Sequence, residues 1–204
     1  MSNIAKRLDA HFVACAAAAG AAVAGTATKS EAAIVWSGAV NINIPSTTAG
    51  VYLNVVTGVN GTAPVTNWDV NPWSSSSLSF FNPSLPSGGV YVGTSTVPAN
   101  LAAGTLIDGA STYGSGAAAA GSLNLNSSNN IFGFRFQNEA AGNQTQYGWM
   151  RILLSGSATA QPRAIVEYAY EDSGAGIQAG AVPAPGSAAL LALGALGLAG
   201  RRRK

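Results

Sequence analysis

IFGFRFQ, residues 131–137, alternates without interruption: Phe132, Phe134 and Phe136 fall on one side, and Gly133, Arg135 and Gln137 on the other. A period of two is the mark of a β-strand whose faces meet different surroundings. The same period runs through AIVEYAYE, where Val166, Tyr168 and Tyr170 oppose Glu167, Ala169 and Glu171. It recurs in AVNINI, where Val40, Ile42 and Ile44 oppose Asn41 and Asn43. Shorter apolar runs at 51–56, 77–81, 90–92, 106–107 and 147–154 read as further strands. TGVNGTAP, NPSLPSGG and NLNSSNN separate them, rich in the residues that favour turns. GSGAAAAGS, residues 114–122, reads as a flexible loop or a short helical turn. No stretch between the two ends carries a 3.6-residue period, and there is no internal repeat. The fold class expected is all-β: an antiparallel β-sandwich, jelly-roll-like.

The chain has 204 residues, enough for one ordinary domain and processing segments. Only 9% of residues are charged, against about 25% in typical soluble domains. The net charge of +2 is a property of the ends, where Lys6, Arg7, Lys29, Arg201, Arg202, Arg203 and Lys204 lie. Between Ile34 and Val182 three cations (Arg135, Arg151, Arg163) face six acids (Asp69, Asp108, Glu139, Glu167, Glu171, Asp172), a net of −3. A nucleic-acid partner requires clustered Lys and Arg, so that function is rejected.

The first 33 residues read as a secretory signal peptide with a signal helix. Lys6 and Arg7 precede FVACAAAAGAAVAGTA, and TKSEAA supplies small residues before IVWSG. Ser30 and Ala32 suit the positions before a cut, which is expected between Ala32 and Ala33. An Ala-rich helix within the fold is the alternative. Cleavage would remove His11 and Cys15, the one His and the one Cys of the chain. The remainder then has no Ser-His-Asp triad, no Cys-His nucleophile, no His- or Cys-ligated metal and no disulfide. No cofactor pattern is present.

The last segment, 181–204, has three parts. Val182, Pro183, Ala184 and Pro185 hold a proline motif, an apolar run follows, and Arg201, Arg202, Arg203 and Lys204 end the sequence. Ser187 to Gly200 would make a helix of roughly 21 Å, short of the ~30 Å hydrocarbon core of a bilayer. The cations would stay on the cytoplasmic side. This layout resembles the PEP-CTERM sorting tail of Gram-negative bacteria, with Ala184 where the family motif has glutamate. The resemblance implies export, a transient stop in the inner membrane by a short membrane helix, and cutting by an exosortase-like transpeptidase. A plain membrane anchor is the alternative. Upstream, Tyr147-Gly148-Trp149 and Tyr168-Ala169-Tyr170 are similar to the closing strands of many PEP-CTERM surface proteins. That second resemblance implies location and fold, not an activity.

Between these ends, residues 34–180 form the body. Its most site-like stretch is TNWDVNPW. Trp68 and Trp73 are candidates to stack on sugar rings, and Asp69 and Asn71 to bond hydroxyls or hold Ca²⁺. The competing reading puts both tryptophans in the core. Trp149 is expected to be packed. Glu167 and Glu171 share a face but stand roughly 13 Å apart by strand rise, too far for the ~5–9.5 Å of a glycosidase pair. NGT, NSS and NQT match the glycosylation pattern at Asn60, Asn126 and Asn143, but a bacterial tail argues against modification. The expectation is an exported, non-enzymatic protein of the cell surface or extracellular matrix. A lectin-like module binding the surface polysaccharide comes second, and a glycan hydrolase third.

Overall fold

A computed structural model describes residues 33–183. The expected signal helix, all but the last residue of the expected signal segment, and the apolar run and basic cluster of the tail lie outside the described residues. Among the described residues no helix is long and apolar enough to cross a membrane.

The body is antiparallel β, as expected. Fourteen strands follow one another: β1 (Ile34–Trp36), β2 (Ile42–Asn43), β3 (Tyr52–Leu53), β4 (Asn60–Gly61), β5 (Asn71–Trp73), β6 (Ser79–Phe81), β7 (Tyr91–Val92), β8 (Leu106–Ile107), β9 (Tyr113–Gly114), β10 (Gly116–Ala117), β11 (Ile131–Asn138), β12 (Gln144–Leu153), β13 (Ala164–Glu171) and β14 (Ile177–Gln178). The main sheet has the order β1-β13-β12-β11-β7-β9, with β2 also beside β13. A three-stranded sheet, β10-β6-β5, and the pairs β14-β8 and β3-β4 complete the body. Leu53 of β3 and Phe80 of β6 pack into one apolar cluster with residues of the main sheet, and a jelly-roll order of strands is not confirmed. GSGAAAAGS contributes β10 and a single 3₁₀ turn at Ala120–Ser122, so the short helical turn is part of what forms there.

Alternation decides which side of the main sheet each residue meets. Phe132, Phe134 and Phe136 are fully buried and cluster with Met150, Ile152, Tyr168 and Tyr170, against Leu53 and Phe80 from the smaller sheets and Val70 and Leu78 just before β5 and β6. Phe80 packs on Tyr91 and Phe132 with ring centroids 4.7 and 4.6 Å away. The other side of the main sheet carries a second apolar cluster. Ile131, Trp149 and Ala169 lie there beneath Ile107, Ile177 and Ala179. A slip in register between Arg151 and Ile152 moves Ile165 opposite Ile152 and into the first cluster. Both faces of the central strands are therefore covered, which explains why Trp149 is 0% exposed.

The three cations of the body are all committed to the fold. Arg163 is 0% exposed, and its guanidinium donates to the carbonyls of Ile44, Pro45, Ser74, Ser77 and Ala158. Burial lowers its pKa from the usual arginine value. The five carbonyls supply the compensation that a buried charge requires. Arg135 donates to the Gly89 and Ser87 carbonyls and lies over the Tyr113 ring at 4.4 Å. Arg151 pairs with Glu167 at 2.7 Å.

Candidate functional site

TNWDVNPW is not one loop. Asn71–Trp73 form β5, paired with β6. Pro72 is tolerated because β5 is the edge of its sheet, where a missing N–H costs no ladder bond. Strand geometry then separates the four expected site residues. Trp68 and Asp69 line one groove, and Asn71 and Trp73 line another.

Asn71 is buried in the fold. Its side-chain amide donates to the Ala49 and Val51 carbonyls, both at 3.0 Å, and the residue is 2% exposed. Its backbone N–H donates to the Tyr91 hydroxyl at 2.8 Å, which in turn donates to the Phe81 carbonyl. These bonds tie β5 to the loop before β3 and to β7. Asn71 therefore holds the fold and lines a groove other than that of Asp69. Trp73 is half-buried, and its indole nitrogen has no partner among the described residues.

Trp68 is half-buried in an aromatic trio. Tyr52 meets it edge-on at 4.9 Å and 82°, and Phe81 lies nearly parallel at 6.1 Å and 16°. Phe81 is 55% exposed. Such contacts fix the indole plane and leave part of the aromatic surface open to solvent.

The Trp68 groove has a volume of about 280 Å³. That is below the roughly 300–1,000 Å³ of drug-sized sites, so it suits a small polar unit. Asp69 lines it at 3% exposure. Its Oδ2 accepts the Val55 N–H at 2.8 Å, and its Oδ1 has no hydrogen bond from the described residues. Burial pushes the carboxyl up from 3.8 to about 7, against the Val55 bond and with help from Glu139. The opposite wall comes from the β11–β12 turn. Asn138 caps the 3₁₀ turn Glu139–Ala141 by accepting the Ala141 N–H, and Gly142 and Asn143 take left-handed φ of 69° and 64°. That turn brings Gln137, Glu139 and Asn143 to the groove. Their approach to Trp68 and Asp69 was not foreseen from the sequence, because it depends on packing between segments about seventy residues apart.

Glu167 does not face a catalytic partner. Its two oxygens accept from Arg151 Nε and from Trp36 Nε1, at 2.7 and 3.0 Å. Glu171 is buried at the end of β13, with Oε1 accepting the Ser173 N–H. Among the described residues, no three His, Cys, Asp or Glu side chains gather as a metal would require.

The other functional feature is where the chain leaves the fold. β14 pairs with β8, Ala179 N–H donates to the Thr105 carbonyl, and Gly104 N–H donates back to Ala179. The Trp149 indole then donates to the Ala181 carbonyl at 2.9 Å. Val182 and Pro183, next along, are exposed.

No curated protein and no solved structure matches the chain. A family model described as the PEP-CTERM protein-sorting motif matches residues 181–204. Its first residue is the one whose carbonyl Trp149 holds, so the motif begins where the last of these contacts is made. The chain thus carries, at its C-terminus, a PEP-CTERM protein-sorting motif, the mark of an exported protein recognised by exosortase-type machinery.

Proposed function

We propose that the chain is a non-enzymatic structural protein of the cell surface or extracellular matrix of a Gram-negative bacterium. It is exported by an N-terminal signal cut at Ala32–Ala33 and held briefly in the inner membrane by its tail. It is then released by cutting near Pro183–Pro185. The observation that carries this reading is the sorting motif at 181–204, joined to a body that is fastened as far as Ala181. A second contribution comes from β13, whose two acids are engaged in structure: Glu167 with Arg151, and Glu171 with the Ser173 N–H. Intact-mass analysis of the protein recovered from the cell surface tests it. A product that starts at Ala33 or Ile34 and ends near Pro183–Pro185 is expected; a full-length product overturns the processing scheme.

A second reading is favoured by the Trp68 groove. In it the body is a lectin-like module that holds surface polysaccharide. A planar aromatic wall beside carboxylate and amide groups is the combination that sugars require, an apolar ring face with directional hydroxyls around it. A glycan array probed with the mature protein, wild type and Trp68→Ala, tests this reading. Binding that is lost in the variant supports it, and no binding by the wild type removes it.

A further inference from the structure

We propose that the Trp68 groove takes a glycan unit bearing a free, protonated amine, an amino sugar without its acyl group, and rejects uronic acids. This inference rests on the lectin-like reading and specifies its ligand.

Three observations carry it. The first is the groove itself, walled by Trp68, whose plane Tyr52 and Phe81 fix. An indole face accepts the apolar face of a sugar and attracts an adjacent cation. The second is Asp69. It is 97% removed from solvent, lines the groove, and keeps Oδ1 free of any hydrogen bond from the described residues. Asp69 Oδ1 is not among the fully buried oxygens that lack a partner, so it remains open to a donor, and a ligand N–H⁺ would supply both the donor and the countercharge. Glu139, exposed on the opposite wall, adds a second negative charge. The third is the absence of any cation from the lining. Arg135, Arg151 and Arg163 are each engaged elsewhere, and the body has no lysine. A carboxylated sugar would thus meet two acids and no countercharge.

A metal ion is a poorer match. Calcium takes six to eight oxygens, commonly including several carboxylates, whereas no group of three acidic, His or Cys side chains forms among the described residues. The groups that face Asp69 fit an ammonium better. The Val55 N–H already occupies Oδ2, and Tyr91, Tyr168 and Tyr170 feel the Asp69 charge from the core side, where burial raises each of their pKa values. Burial raises the Asp69 carboxyl to about 7, so the free groove holds it partly protonated at neutral pH, and a bound cation would draw it to the ionised form.

The test is calorimetric titration of the mature exported protein with four probes: a glucosamine tetramer, an N-acetylglucosamine tetramer, a galacturonate tetramer and calcium chloride. The glucosamine tetramer should bind at least tenfold more tightly than its acetylated counterpart, with no heat from the uronate. Asp69→Asn and Glu139→Gln should each weaken the amine-bearing probe at least fivefold more than they weaken the acetylated probe. Glu139 is exposed, so its variant keeps the test open should Asp69→Asn fold poorly. Equal binding of the two tetramers, lost in Trp68→Ala, overturns the amine preference and preserves the lectin-like reading. No binding of any glycan overturns both. Calcium binding that is lost in Asp69→Asn, with no binding of the amine, reassigns the groove to a cation and also overturns the proposal.

Discussion

At the scale of single residues, the YGW and YAY triplets each have a physical reason. In the first, Tyr147 and Trp149 lie on one side of β12 and Gly148 on the other. A Cβ at Gly148 would come within 2.6 Å of the Phe134 ring and 2.7 Å of the Ala169 carbonyl. Gly148→Ala should therefore cost about 1–3 kcal/mol, the usual range for overpacking a filled core. Thermal melts should show the loss, and Phe134→Leu in the same chain should recover part of it, since the ring makes the clash. Strictly additive losses would contradict that account. In YAY, Ala169 lies in the cluster of Trp149 and Tyr170 meets Phe136 edge-on at 5.3 Å. Asp69 yields a second prediction. Its carboxyl is raised from 3.8 to about 7 by burial, so the folded state holds the proton more tightly than the unfolded chain. This contribution is fully present below pH 3.8 and is lost as pH rises through about 7. Asp69→Asn removes the titration and can still accept the Val55 N–H. The melting temperature of the variant minus that of wild type should thus increase from pH 5 to pH 8. A difference constant across that range would show that Asp69 is not buried as described.

At the scale of elements, strands with a period or an apolar run were legible: β2, β3, β6, β7 and β8 fall within runs read as strands, whereas β4, β5, β9, β10 and β14 were not foreseen. β11 and β13 were foreseen almost to their ends, because eight residues give four repeats of a two-residue period. β12 was recognised from its apolar half, but it extends back to Gln144 because β11 pairs with it as far as Asn138. β5 was missed since Pro72 speaks against a strand, and only its edge position makes the proline acceptable. β14 has two residues and no period; it exists because Ile177 meets Ile107 across about seventy residues of sequence. The groove divides in the same way. Trp68 and Asp69 were visible as an aromatic-acidic pair, whereas the part played by Glu139 requires knowing that the β11–β12 turn folds toward them. The strap that ends at Ala181 gives the element-scale prediction. Trp149→Phe keeps most of the apolar bulk and deletes the N–H that holds the Ala181 carbonyl. The expected cost is about 1 kcal/mol, concentrated locally. Hydrogen exchange should speed up at Ala179 and Ala181 while the β11–β12 ladder stays protected. Uniform acceleration across the sheet would mean that the indole supports the whole fold and not the strap.

At the scale of the whole molecule, the folded body and the sorting motif meet at one residue. Ala181 is the last position held by Trp149 and the first matched by the motif, so Val182 and Pro183 are the first exposed positions beyond that contact. Fully extended, Val182 to Pro185 span at most about 14 Å. An enzyme that cuts near Pro183–Pro185 must then work close against the body, and loosening the strap should help it. Trp149→Phe is accordingly expected to be processed at least as fast as wild type, followed as the ratio of precursor to product by mass. The tail itself should act as a stop rather than a lasting anchor. Its apolar run is short for a bilayer, and Gly194, Gly197 and Gly200 each weaken a helix by up to ~1 kcal/mol relative to alanine. Orientation then depends on Arg201, Arg202, Arg203 and Lys204, which are costly to move outward. Replacing the three arginines by serine should let the tail slip through and release uncut precursor into the periplasm. Ala184→Glu, which restores the common Pro-Glu-Pro motif, should speed processing. Surface protein that keeps Arg203 and Lys204 and extracts only with detergent would instead identify a permanent anchor, because a cut near Pro183–Pro185 removes every cation beyond the body.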